Sequence, residues 1–380
     1  MNDTDLGAYG DWLELACRQG GLFPRAVPGA ATQRRVREIL DVPDPEEESF
    51  VPVLCHSWQD GGLVGEVVSW SAGFGPRTEA YVLRPQGPGP FPGVLALHDH
   101  ANVKYYGKEK IADGPDGPVP ELARLRDKFY GGRAFANHLA RRGFVVLAHD
   151  AFMWGSRRFP VDTRSEASRN QLEAFAAAQG RQVRELPESE KYDALARQLE
   201  HTVAKYCSLL DTSIAARICR EDRIALGYLR SRPDVDTGRT GCVGLSGGGA
   251  RAVLLRAVTG DVRAAVITGM MSSFQALLDR HVASHSWMLF PPGLSRIGDW
   301  PDIAACRAPA PILVQYLKGD ELLPASGMMA AHRRLAEHYT AIGHPDCYSS
   351  HFVDGPHRFD IPMQEEAFGF LARWLTPGAR

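Results

Sequence analysis

A serine, an aspartate and a histidine stand in three separate loops of this 380-residue chain, each just after an apolar run. The serine is Ser246, in Gly244-Leu245-Ser246-Gly247-Gly248. Before it, Thr240-Gly241-Cys242-Val243 is a short run of small and apolar residues that reads as a buried strand. After it, Ala250, Val253, Leu254, Ala257 and Val258 recur at helical spacing until Gly260 offers a cap. Strand, sharp turn and helix are the context in which G-x-S-x-G presents a nucleophile. The turn lifts the hydroxyl above the strand ends, and glycines flank it because Cβ atoms there would collide with neighbouring backbone. The Gly247 amide, at the start of the helix, points into the same space and can stabilise a developing oxyanion.

A serine hydroxyl is a poor nucleophile at neutral pH and needs a base, itself oriented by an acid. The loop Lys318-Gly319-Asp320-Glu321-Leu322-Leu323-Pro324 supplies the acid, and Asp354-Gly355-Pro356-His357 supplies the base. The order serine, acid, histidine along the chain is that of hydrolases built on such a turn. Asp320 and Glu321 are adjacent, so only one can face the histidine, and Asp320 is predicted. A fourth loop, His98-Asp99-His100-Ala101-Asn102, closes another apolar run, and in this arrangement it donates the second oxyanion amide, assigned to His100. His98, Tyr206 and His285 are predicted to line the substrate pocket. His201, His281, His338 and His351 have no partner pattern and are assigned to surface or core. No H-E-x-x-H or other ligand cluster is present, so neither a metal ion nor a cofactor is expected.

The elements that must position these residues follow from periodicity. Residues 1–50 read as a helical extension: Leu6, Trp12, Leu13, Leu15 and Ala16 mark one helix and residues 31–40 a second, broken by Val42-Pro43-Asp44-Pro45. Glu46-Glu47-Glu48 reads as a solvated turn. The catalytic domain is assigned to 51–380, opening with two antiparallel strands over 63–68 and 78–83. Continuous apolar runs at 93–98, 144–148, 262–268 and 311–317 are what a strand buried on both faces requires, and 348–353 is a last strand. Helices are predicted over 133–142, 328–339 and 364–375, and another, marked by Ile224, Tyr228 and Leu229, precedes Pro233. The fold class is therefore α/β, a mostly parallel sheet flanked by helices. Residues 160–215 are a helical insertion with a stripe of Tyr192, Leu195, Leu199, Val203, Tyr206, Leu210 and Ile214. It leaves the sheet on the rim that carries Ser246, which predicts a cap over the nucleophile.

With 44% hydrophobic and 23% charged residues, the composition is that of a globular protein. Lys+Arg 43 against Asp+Glu 45 gives a formal net charge of -2. Arginine pairs such as Arg34-Arg35, Arg141-Arg142 and Arg333-Arg334 are scattered, which argues against a nucleic-acid or anionic-membrane partner. Residues 1–10 lack the basic and apolar regions of a signal peptide, and no apolar stretch is long enough to cross a bilayer. The seven cysteines contain no C-x-x-C and read as reduced thiols. A cytoplasmic location is expected, and a homo-oligomer is left open.

Several stretches resemble the α/β-hydrolase relatives of dienelactone hydrolase, in the acetyl xylan esterase-like branch. These include Lys108-Glu109-Lys110-Ile111, residues 135–143, Asp150 with Gly155-Ser156-Arg157, Val235-Asp236, Pro291-Pro292-Gly293-Leu294, residues 308–311 and Gly355-Pro356-His357-Arg358-Phe359. The likeness runs from about Leu63 to the C-terminus. It implies a serine esterase or deacetylase with Ser246, Asp320 and His357 as its triad, Asp320 standing where the family pattern places its acid. His98-Asp99 departs from the His-Gly that relatives often carry. Many esterases of this branch are secreted to act on polysaccharides, so the missing leader favours a small intracellular ester. A thioester or C–C bond hydrolase on the same triad, and a catalytically silent binding protein, are the alternatives.

Overall fold

Among the described residues nine strands form one sheet, in the order β1-β2-β3-β5-β4-β6-β7-β8-β9. They are β1 (Val53–Asp60), β2 (Leu63–Trp70), β3 (Thr78–Pro85), β4 (Phe91–Leu97), β5 (Val145–His149), β6 (Val235–Leu245), β7 (Ala264–Thr268), β8 (Ile312–Leu317) and β9 (Tyr348–Val353). The structure, a computed structural model, describes residues 4–42, 51–162 and 164–376. The predicted break at Pro43–Pro45 and the Glu46–Glu48 turn lie outside the described residues. The first three strands pair antiparallel and β3 pairs antiparallel with β5; from β5 onward every pairing is parallel. Parallel pairs need crossovers, and the helices that supply them cover both faces.

The periodicity reading missed β1, because an exposed edge strand has no core face to impose alternation. Its signal was in the turn instead. Asp60 pairs with Leu63 across Gly61-Gly62, whose φ values of 50° and 87° fit a two-residue hairpin.

The helices run α1 (Gly10–Gln19), α2 (Ala30–Ile39), α3 (Pro120–Phe129), α4 (Phe135–Ala140), α5 (Glu166–Ala178) and α6 (Glu188–Leu209). They continue with α7 (Ile214–Ser231), α8 (Gly247–Val258), the short α9 (Phe274–Leu277), α10 (Trp300–Ala305), α11 (Ala325–Ala341) and α12 (Ile361–Leu375). Successive residues of β4 divide the core. Leu95 and Leu97 face a layer built by α2, α7, α8, α10 and α11, while Val94 and Ala96 face α4 and α12. The second N-terminal helix is thus part of the main core: Val36 and Leu40 are buried, and α2 packs on α8 and α10.

The insertion holds α5 and α6, but its predicted stripe is not one helix. Asp211 turns to φ 52°, and Ser213 then caps α7 by accepting from the Ala216 amide at 3.0 Å. Ile214 therefore opens the next helix. Along α6 the buried side is Ala196, Glu200, Val203, Ala204 and Cys207, while Tyr206, Leu209 and Leu210 face solvent. The predicted stripe holds at Leu195 and Val203, which are buried, and fails at Tyr206 and Leu210, while Glu200 takes a core-facing place that periodicity gave to solvent.

Candidate active site

The chain leaves β6 at Leu245 and enters α8 at Gly247, so Ser246 alone makes the turn, at φ 57° and ψ -120°. A left-handed non-glycine residue costs on the order of 1–3 kcal/mol. Its amide donates to the Thr268 carbonyl at 2.8 Å and its carbonyl accepts from the Ala250 amide at 3.0 Å, which pins the strained unit from both sides. The flanking glycines answer to contact. A Cβ on Gly244 would lie 2.3 Å from the Gly248 carbonyl carbon, and one on Gly248 would lie 2.1 Å from the Leu97 carbonyl oxygen.

The loops that carry Asp320 and His357 are joined backbone to backbone. Lys318 donates to the Val353 carbonyl at 2.9 Å and Gly319 to the Gly355 carbonyl at 3.0 Å. This brings His357 Nδ1 to 2.6 Å from Asp320 Oδ2, while Asp320 Oδ1 accepts from the Leu322 amide at 2.9 Å. The Asp320 side chain is fully buried, whereas Glu321 is exposed. Phe129 stands edge-on to the His357 ring at 6.4 Å. Ser246, Asp320 and His357 all line one cavity of about 790 Å³.

The predicted oxyanion residues meet on its floor. The Cβ position of Gly247 lies 3.0 Å from the His100 amide nitrogen. Beyond His100 the loop turns sharply, with Ala101 at φ 49° and Asn102 at φ 56°. It is held from beneath by charge. The buried Lys110 ammonium donates to the Asp99, His100 (3.3 Å) and Val103 (3.2 Å) carbonyls. Tyr130 donates to Asp99 Oδ1 at 2.7 Å, and Arg251, on α8, donates to the His98 carbonyl at 3.1 Å. Burial pushes the Lys110 amine below its ordinary value, partly offset by Asp99. The carboxylate of the His98-Asp99 departure is thus spent on Tyr130 and Lys110, beneath the loop.

Two predicted pocket residues do not belong to the cavity. His98 is 2% exposed, with Nδ1 3.0 Å from the Asp99 carbonyl and Nε2 accepting from the Ala151 amide at 3.3 Å. Burial first, then Arg251 and Lys110, holds it neutral, well below its ordinary pKa. It braces the loop from behind. Tyr206 is 62% exposed and does not line the cavity, for the reason given by the α6 stripe. His285 does line it, with Nε2 2.9 Å from the Leu322 carbonyl, and burial lowers its pKa.

Sequence reasoning missed Arg197, Glu200 and His201, which α6 brings to the wall, and Trp287 and Met288 beside them. Trp287 Nε1 donates to His201 Nδ1 at 2.9 Å, which fixes the indole at the mouth. A polar face of an amphipathic helix gives no sign that it will meet a cavity. Among the described residues no group of three His, Cys, Asp or Glu side chains could hold a metal ion, and no helix is long and apolar enough to cross a membrane. None of the seven cysteines is in a disulfide.

Most of the chain superposes on solved structures of like topology. A presumed acetyl xylan esterase from Bacteroides fragilis NCTC 9343 matches with a TM-score of 0.63 at 17% identity, over 85% of this chain and 73% of that one. The fold is that of the α/β-hydrolases. Two further α/β-hydrolases match along most of their lengths. A glucuronoyl esterase from Solibacter usitatus does so with a TM-score of 0.60 at 13% identity, over 90% of this chain and 92% of its own. Acetyl xylan esterase 1 from Thermoanaerobacterium sp. JW/SL YS485 does so with a TM-score of 0.53 at 16% identity, over 93% and 96%. By sequence, the Bacillus subtilis (strain 168) protein YtaP, a presumed hydrolase, is 24% identical over 301 residues, covering 79% of this chain and 84% of YtaP. No family model matches the chain.

Proposed function

We propose that this α/β-hydrolase chain is a serine esterase that cleaves a small ester through an acyl-enzyme on Ser246. The observation that carries the reading is the 2.6 Å His357–Asp320 pair, set in the same cavity as a serine held at positive φ. With its Nδ1 proton given to Asp320, His357 keeps the Nε2 lone pair for the Ser246 hydroxyl proton. Ser246 Oγ then bonds to the acyl carbon, and the carbonyl oxygen becomes an oxyanion facing the Gly247 and His100 amides. Collapse breaks the bond to the alkoxy oxygen, which takes the proton from His357 and leaves as an alcohol. Water repeats the sequence on the acyl-enzyme, releasing the acid and restoring Ser246.

The ester preference, over a thioester or a C–C bond, is supported by the names of the structural neighbours, which are esterases. The small-substrate reading is supported by the cavity. Its volume of about 790 Å³ is that of a small-molecule site. A fluorophosphonate probe is expected to label the wild-type protein and leave Ser246→Ala unlabelled. A panel of p-nitrophenyl esters, acetylated sugars and thioesters then tests the bond. Turnover of thioesters at tenfold the ester rate would redirect it, and an unlabelled wild type would end it.

A further inference from the structure

Glu200 occupies the core-facing stripe of α6, where an apolar side chain is the ordinary occupant, and it is 6% exposed. Its two oxygens reach two different segments. Oε2 accepts from His100 Nε2 at 2.9 Å and from Lys104 Nζ at 2.6 Å, both in the loop after β4. Oε1 accepts from the Ser286 hydroxyl at 2.6 Å and the Trp287 amide at 3.2 Å, in a second segment that lines the cavity. One carboxylate therefore joins α6, the oxyanion loop and the 286–287 turn.

The ring of His100 is held in one orientation and one tautomer. The Asn102 amide donates to Nδ1 at 3.0 Å, so the ring proton lies on Nε2, where it points at Glu200. Trp154 packs edge-on against the ring at 5.2 Å. The Lys104 ammonium, 3.2 Å from the same Nε2, shares Glu200 Oε2 with it. The peptide at stake is the one whose nitrogen lies 3.0 Å from the Cβ position of Gly247 and which is assigned above as the second oxyanion donor. Directly after it come two successive left-handed residues, Ala101 and Asn102, a conformation that the chain leaves unless contacts hold it. Lys110 grips the carbonyls of this loop and Glu200 grips its side chains. Burying a carboxylate is costly, and a well-packed apolar residue often stabilises as much. What the charge adds is direction.

We propose that Glu200, delivered by the insertion helix, is a positioning residue that sets the aim of the His100 amide through the His100 ring. The inference rests on the esterase reading above. Its consequence is that the insertion acts on the transition state as well as on substrate choice. An oxyanion donor that drifts from its aim loses affinity for the oxyanion and little for the ground-state carbonyl.

The test compares wild type, Glu200→Ala and Glu200→Gln on p-nitrophenyl acetate. It also measures inhibition by a trifluoromethyl ketone, whose hemiketal oxygen takes the place of the oxyanion. Glu200→Ala is expected to lower kcat by about tenfold to a hundredfold, below the 10²–10³ that loss of a whole donor costs, with KM within about twofold. Ketone affinity should weaken by the same factor as kcat/KM, and Glu200→Gln should recover part of both. A raised KM with kcat and ketone affinity unchanged would overturn the proposal and leave Glu200 a structural tie. Should Glu200→Ala fail to fold, His100→Phe keeps the main-chain amide and removes the ring N–H. It should show the same kcat loss, and wild-type kcat there would equally overturn the proposal. Fluorophosphonate labelling separates the two levels. A labelled wild type with an indifferent Glu200 removes this inference alone, whereas an unlabelled wild type removes the esterase reading and this inference with it.

Discussion

On one side of the cavity Ser246, Asp320 and His357 stand at the C-terminal ends of β6, β8 and β9, held by main-chain hydrogen bonds and glycine-to-backbone contacts. On the other side His100, Glu200 and Trp287 come from a loop, a helix and a turn, held by side-chain charges spread from Lys104 to Ser286. The first side is as rigid as the sheet beneath it. The second has few main-chain ties to the sheet and relies on Lys110, Arg251 and Glu200 for its shape. In this molecule Ser246, Asp320 and His357 are placed by the sheet and its main-chain ties, and the His100 side of the cavity by an ionic network.

The sharpest break in that comparison is Ser246→Ala, expected to lower kcat by about 10⁵–10⁶ with little change in Tm. His357→Ala should cost a similar factor, and the double variant little more, as a unit requires. Steady-state kinetics on an activated ester checks both, and near-wild-type turnover in either would reject the assignment. Next is Asp320→Asn, expected to lose about 10⁴ in kcat by allowing the wrong His357 tautomer, against a change within about twofold for Glu321→Gln. The reverse ranking would move the acid to Glu321.

Smaller effects are expected across the cavity. Trp287→Ala should shift relative rates across an ester panel by about tenfold, roughly the 1–3 kcal/mol that pocket contacts discriminate. Tyr206→Ala, out in solvent, should shift neither relative rates nor Tm, and a changed preference there would return α6 to its predicted orientation. The smallest effect concerns acid. Burial alone would raise the Glu200 carboxyl, but the His100 and Lys104 contacts outweigh it and hold it well below the ordinary value of 4.5. A lowered carboxyl contributes stability in full above the unfolded pKa and loses it as the pH falls through the folded one. The Tm gap between wild type and Glu200→Gln, roughly 2 °C at neutral pH, should therefore close as pH drops below 4.5. A gap that widens in acid would mean that the carboxyl is raised.

The three triad candidates, which the structure brings to one cavity, were legible as a pattern because each follows a local signal. Ser246, Asp320 and His357 all come directly after apolar runs, and glycine or proline marks each turn. The β1 hairpin could have been found from Gly61-Gly62 for the same reason. His98 was misplaced since two histidines separated by a single residue look alike in a string, while the direction of each ring depends on Ala151 and Glu200, some 50 and 100 residues away.

By itself, then, the amino-acid order determined the strands, the turn at Ser246 and the chain order of serine, acid and base, all of which depend on residues within a few positions of one another. Only the tertiary structure decided which side of α6 meets the cavity, which histidine braces the loop and which lines the cavity, and that Glu200 is buried. A charged residue reads as solvent-facing until its partners are known. The partners of Glu200 lie on two segments, at 100–104 and 286–287, that only the tertiary fold brings to it.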